Sequence, residues 1–349
     1  MENSYNISHV IREETLFASI RKSIKKRADL EPQVKILKEE CHGRIVGPLT
    51  LIFHYDTPVE GFDAEIGFPV SEKVEKAGIS SRILGRNEFL SKTHSGKLDK
   101  IGETYQKVYG LMYKNGISPG MSTVEIFHDY DFENPETVKI EVQGSIHMWN
   151  YLYKRALNKY LGHEKQEKIY LDGDKITPFT KINDRIQWVK QTLERLKQES
   201  TKEEQFQILS HIALDRPIEE INQFKEKYLE NHDVRDIINH LKTELQFIIE
   251  PEIKENYVHI SKVARDREGY DKATNHDEKR KHYCFCRLVS EAASLPDIDP
   301  IFCYRAAGWA AQLWEEILQK QVVKCDIVKS VLKGDEVCDF KLYFDDKLV

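Results

Sequence analysis

The chain has no apolar run approaching the ~18 residues that a membrane-spanning helix needs. Its opening, MENSYNISHVIREE, lacks a basic start followed by an apolar stretch, so no secretory signal and no membrane anchor are expected. Positive charge is not in excess either: 52 Lys and Arg face 58 Asp and Glu, for a formal net charge of -6. A general nucleic-acid binder neutralises phosphates with basic surface, so direct nucleic-acid binding is not expected. Cysteine is nearly missing from the first four fifths of the chain, where only Cys41 occurs. Without a signal, such cysteines read as reduced thiols of a cytosolic protein. What remains is 40% apolar and 32% charged residues, enough for ordinary cores under much solvated surface.

The first 147 residues read as one unit with an internal repeat. A strand near Ser8–Ile11 leads into a helical stretch to about Cys41, on which Leu16, Ile20 and Ile24 recur every four residues. Arg21, Lys22, Lys25, Lys26 and Arg27 then form the wet face of that helix. Strands follow at Leu49–Tyr55 and Phe62–Val70. The order repeats with a strand at Ile79–Leu90, a helix at Leu98–Asn115, and strands at Thr123–Tyr130 and Thr137–Ile146. Two strand-helix-strand-strand copies side by side leave a cleft between them, a natural place for a ligand.

Residues 148–263 read as a helical connecting region, broken by a hairpin turn at Leu171-Asp172-Gly173-Asp174. Ser200 with Glu203, or Thr201 with Glu204, offers a capping box. Pro217 suits a first helical position, and Asp233 can cap a helix carrying Ile237, Leu241 and Leu245. Residues 265–281 are dense in both charges and read as a solvated loop.

The final segment, 264–349, reads as a small α+β domain and holds Cys284, Cys286, Cys303, Cys325 and Cys338. Were residues 282–286 extended, His282, Cys284 and Cys286 would share a face. Cys303 opens a helix running to about Lys320, and Cys338 points into the core from the last strand. Three uses stay open. Cys284, Cys286, Cys303 and Cys338 supply enough thiolates for tetrahedral zinc. Cys303, at a helix N-terminus, suits a low-pKa nucleophile with His282 as its base. The third is plain packing of buried thiols.

Thr93-His94-Ser95-Gly96, the helix after it and the strand Val124-Glu125-Ile126-Phe127 resemble the GyrI-like effector-binding family. Glu65-Ile66-Gly67-Phe68-Pro69-Val70 is the companion pattern in the first copy, and the resemblance covers about residues 5–147. It implies a duplicated strand-helix-strand-strand fold with a pocket between the halves. It also implies a hydrophobic, often cationic, small-molecule ligand. Many members are joined to helix-turn-helix regulators, and some hydrolyse cyclopropane-bearing toxins. No helix-turn-helix precedes residue 10 here. Glu125 matches the family's strand glutamate, and Phe127 shares its face by parity. Tyr105 and Tyr109 on the covering helix line the same cleft. A carboxylate beside aromatics suits a cation, or serves as a base.

Residues 255–345 are similar to 4-vinyl-reductase-type small-molecule-binding domains and to the L-2-amino-thiazoline-4-carboxylate hydrolase-like group. Ser330-x3-Gly334-Asp335-x2-Cys338-x-Phe340 carries this likeness, with Cys303 and Gly308-Trp309. Some members hold zinc with two cysteines eight apart in this hairpin. Cys338 matches the second, but Ser330 stands at the first.

The expectation is therefore an α+β protein with a duplicated strand-helix-strand-strand module and ligand cleft (1–147), a helical middle region (148–263) and a small α+β C-terminal domain (264–349). Its expected function is binding or sensing of a lipophilic, cationic small molecule. A hydrolase of cyclopropanoid or thiazoline-type compounds is the competing class. A third reading is an adaptor that recruits a partner regulator or a second copy of itself.

Overall fold

A computed structural model describes residues 6–54, 61–129, 136–214, 216, 218–235 and 248–348. The chain divides into two compact units, one of residues 1–113 and 117–147 and the other of 114–116 and 148–349. Each mixes helix and sheet, as the α+β expectation requires.

The first unit is an eight-stranded antiparallel sheet with two helices. Strands β1 (Ser8–Arg12) and β2 (Thr15–Ile24) precede helix α1 (Glu31–Glu40), β3 (Leu49–His54) and β4 (Phe62–Pro69). Strands β5 (Ser80–Leu84) and β6 (Asn87–Gly96) then precede α2 (Ile101–Lys114), β7 (Pro119–Asp129) and β8 (Val138–Ile146). The spatial order β1-β6-β8-β7-β3-β4-β2-β5 puts β3 against β7 at the centre and repeats one arrangement outward on either side. Each edge strand is exchanged: β1 pairs with β6 of the second copy, and β5 pairs with β2 of the first.

One sheet face carries Ala18, Leu51, Phe53, Ile66, Phe127, Ile140 and Val142, packed with residues of both helices. Gly144 permits the close fit of α2, because a Cβ there would stand 2.5 Å from Cε of Met112. The opposite face holds a smaller cluster of Phe17, Ile52, Phe89 and Val124.

Two sequence expectations change here. Thr15–Ile24 is a strand and not the start of a helix. Spacing of four also satisfies a period of two, so Leu16, Ile20 and Ile24 still share a face, with Ala18 between them. The single strand expected over Ile79–Leu90 is instead β5 and the start of β6, with a break between them at residues 85–86.

The second unit begins with α3 (Trp149–Leu161), α4 (His163–Tyr170), α5 (Ile182–Glu199), α6 (Lys202–Ser210) and α7 (Ile218–Asn231). Strands β9 (Ile248–Ile253) and β10 (Tyr257–Lys262) follow, then short helices α8 (Arg267–Lys272), α9 (His276–Tyr283) and α10 (Arg287–Ser290). Helix α11 (Tyr304–Leu318), β11 (Val322–Lys329) and β12 (Asp339–Phe344) complete it, in a sheet of order β11-β12-β10-β9. One core joins the helical part to the sheet, from Trp149 through Leu193 and Trp314 to Phe344.

The capping box is made by Thr201 and Glu204. Asp299 caps the turn that leads into α11 by accepting from the Ile301 N–H. Leu171–Asp174 joins α4 to a single helical turn and makes no hairpin. Residues 265–281 are not a loop, because Asp266 and Asn275 each cap a short helix there. The expected roles of Pro217 and of Ile237, Leu241 and Leu245 fall outside the described residues.

Candidate functional site

In the first unit Glu125 sits on β7 on the helix-covered face and is wholly buried. A bare carboxylate there would be costly, and three donors meet it. Arg27 reaches it twice, Nε to Oε2 at 2.8 Å and Nη2 to Oε1 at 2.5 Å. The Tyr105 hydroxyl donates to Oε1 at 2.6 Å. The Arg27 guanidinium lies 5.2 Å from the ring centroid of Phe53. Burial works against the Arg27 charge, but the bonds and attraction of Glu125 outweigh it and hold the guanidinium above its ordinary value.

Tyr105, Tyr109 and Tyr113 run along α2 as a ladder, with centroids 6.4 and 6.3 Å apart. The spacing of four residues stacks them on one helix face. The Tyr109 hydroxyl bonds to the Thr123 hydroxyl of β7. Phe127 shares the face of Glu125 but belongs to the core beneath it. The structure thus brings Glu125, Tyr105, Tyr109 and Phe127 to one face.

It also adds two residues that sequence reasoning missed, Phe53 and Arg27. Arg27 reads as a wet helix position only while residues 15–24 read as helix. Because β2 ends at Ile24, the single helical turn Arg27–Leu30 can aim this side chain inward.

The opposite sheet face carries a feature that no sequence motif announced. Ser19 on β2 donates to Oε1 of Glu65 at 2.6 Å, and His54 at the end of β3 meets Oε2 at 2.9 Å. In the second copy Ser91 donates to Oε1 of Glu141 at 2.6 Å, and His128 meets Oε2 at 3.2 Å. Arg82 adds two bonds to Glu65. Burial raises the Glu65 pKa, but His54, Arg82 and Ser19 more than reverse this and hold it at about 2. Gly67 leaves room for the arrangement, since a Cβ there would stand 2.8 Å from Cβ of Ser19.

In the second unit the thiols of Cys284, Cys286, Cys303 and Cys338 gather. Among the described residues no three His, Cys, Asp or Glu side chains are placed to hold a metal ion. Cys303, a free thiol, lies 3.2 Å from the Ser330 hydroxyl and is hydrogen-bonded with the Cys338 thiol. Cys286 lies 3.9 Å from a guanidinium nitrogen of Arg305. Cationic side chains among the thiols oppose a divalent ion. His282 belongs to the last turn of α9 and bonds Asp266 at 2.7 Å, so the shared extended face is not formed.

The surroundings of Cys303 oppose the low pKa expected of it. Its bond to Cys338 and its burial push its pKa well above the ordinary value, and the same bond lowers that of Cys338.

No family model matches the sequence, and no curated protein does. Solved structures match part of it. The crystal structure of the EcmrR C-terminal domain is 15% identical and covers 41% of this chain and 97% of its own, with a TM-score of 0.36. SAV2435 bound to tetraphenylphosphonium is 13% identical and covers 40% of this chain and 93% of its own, with a TM-score of 0.32. A hydrolase encoded by lin2189 from Listeria innocua is 12% identical and covers 41% of this chain and 92% of its own, with a TM-score of 0.31. This chain spans 57% of the matched chain in the EcmrR–DNA complex, at 14% identity and a TM-score of 0.36.

Proposed function

We propose that the first unit is a GyrI-like binding module for lipophilic cations and serves to sense them for a partner regulator. The observation that carries this is a cation cage with a cation already in it. Glu125 supplies the charge, Tyr105 a second polar contact and Phe53 an aromatic face, and Arg27 occupies the place between them. A carboxylate with aromatic walls selects cations over neutral molecules of the same shape. The tyrosine ladder extends that wall along α2. Arg27 stands on a single helical turn, and its side chain keeps 27% of its surface exposed. It is therefore the group an incoming cation displaces.

Binding fits this arrangement better than turnover. A general base needs a lone pair aimed at a water. Both oxygens of Glu125 already accept hydrogen bonds from Arg27, and one also accepts from Tyr105.

Calorimetric titration of the full chain with tetraphenylphosphonium tests the reading. Micromolar affinity, about -8 kcal/mol, is expected. Glu125→Gln should weaken this cation far more than neutral triphenylphosphine oxide. Equal losses for the two compounds, or no binding by the unaltered chain, would sink the proposal.

A further inference from the structure

Lys262 ends β10 in the second unit, and its ε-nitrogen lies 4.9 Å from the ring centroid of Phe285 and 5.4 Å from that of Trp309. The Arg216 guanidinium stacks on the same Trp309 ring at 3.6 Å. The lysine backbone is pinned: its N–H donates to the Cys338 carbonyl, and its carbonyl accepts from the Tyr283 hydroxyl. Its ammonium forms neither a hydrogen bond nor an ion pair with any described residue. Nor does Arg305, in the first turn of α11, meet a carboxylate among them. It contacts the Ile212 carbonyl, the Cys286 sulfur and the rings of Trp149 and Phe302.

Lys262, Cys284, Cys286, Cys303 and Arg305 are all half-buried rather than sealed. Burial lowers the pKa of Lys262 and of Arg305, so each is densely surrounded and yet keeps accessible surface. Cys284 and Cys303 act on both cations, which places Lys262 and Arg305 around one partly open cluster. The groups acting on the Lys262 charge are Arg216, which lowers its pKa, and Cys338, Cys284 and Cys303, which raise it. An amine crowded by aromatic rings and a second cation is a ready nucleophile at neutral pH.

We propose that Lys262 captures the carbonyl of an aromatic 2-oxo acid as an imine. Each part of that compound has its counterpart in the cluster. The carbonyl carbon meets the Lys262 nitrogen, the carboxylate meets the positive charge left uncompensated at Arg305, and the flat body lies on Trp309 and Phe285. The neutral amine's lone pair attacks the carbonyl carbon, and the C=O π pair moves to oxygen, which takes a proton. The nitrogen gives up both of its protons in turn, the hydroxyl takes a second proton, the C–O bond breaks, and water departs as the C=N bond forms. One amine and one carbonyl yield one imine and one water, without oxidant or reductant.

Reductive trapping of the full chain with phenylpyruvate and cyanoborohydride, read by peptide mass spectrometry, tests this. A lowered ammonium pKa exposes more free amine at neutral pH. Lys262 should therefore be labelled faster than the solvent-facing Lys272 and Lys347. Benzaldehyde, which lacks the carboxylate, should label it more slowly than phenylpyruvate, and Arg305→Gln should remove that preference. Lys262→Arg keeps the charge and should show no adduct at this position while melting normally. Labelling of Lys262 no faster than of the two reference lysines overturns the proposal, and that measurement needs no variant. Equal labelling by the two probes overturns the choice of a 2-oxo acid.

Discussion

The two units treat a buried charge in opposite ways. In the first, Glu125 is enclosed completely, and a guanidinium and a phenol are aimed at it. In the second, Lys262 and Arg305 are crowded by rings and thiols and meet no carboxylate among the described residues. A compensated charge stabilises the native state only as long as its partner stays. An uncompensated one gives little stability and is available to react or to bind. Stability and reactivity are therefore expected to separate between the units, and substitutions at the two sites break or sharpen that contrast.

The largest effect is expected from Arg27→Met. It leaves the wholly buried Glu125 carboxylate without its cation, and breaking such a pair from one side costs about 3–5 kcal/mol. The reverse change, Glu125→Gln, should cost less, because Arg27 is half-exposed and can turn to water. Urea unfolding of both variants measures the asymmetry. Adding tetraphenylphosphonium should restore part of the loss in Arg27→Met and none in the double variant with Glu125→Gln. A loss below about 1 kcal/mol in Arg27→Met would show that the pair behaves like an ordinary surface bridge.

The acid limb comes next. Glu65 has a folded pKa of about 2 against an ordinary 4.5. A lowered carboxylate pKa stabilises in full above the unfolded value, and that contribution fades as pH falls from about 4.5 toward 2. The shift corresponds to about 3 kcal/mol. Unfolding measured across this range should show stability dropping with pH, and Glu65→Gln should flatten the slope. An unchanged slope in that variant would move the acid sensitivity to other carboxylates.

Much of the first unit was legible because its cues are local. The helix α2, the strands after it and the equal spacing of the two copies all follow from periodicity and turn residues. Glu125 and Phe127 fell on one face by simple parity. What escaped was non-local. Leu16, Ile20 and Ile24 fit helix and strand equally well, and only the pairing of β2 with β4 and β5 decides between them. Arg27 was hidden by that ambiguity, since its role depends on where β2 stops. The serine, histidine and glutamate set of each copy was hidden too. Its members lie on three strands, and the histidine-to-glutamate separation is 11 residues in one copy and 13 in the other. In the second unit cysteine drew the eye, although Lys262 and Arg305 give the thiol cluster its charge. Neither cation belongs to a recognisable motif, and chain pattern alone does not reveal a missing counter-ion.

The smallest effect is expected from Lys262→Met, and it is the sharpest test of the contrast. Methionine keeps most of the length and all of the apolar stem, and it removes a charge that no described carboxylate offsets. Replacing an uncompensated buried charge by an apolar side chain is neutral or stabilising, here within about 1 kcal/mol of the unaltered chain. The sulfur of methionine also packs well against Phe285 and Trp309. Reductive trapping at this position should vanish in the same variant, so chemistry is lost while stability is kept. Arg27→Met should do the reverse, losing stability while leaving trapping at Lys262 intact. If Lys262→Met unfolds the chain as readily as Arg27→Met does, the ammonium holds the fold together, and the division between a stabilising charge and a reactive one falls.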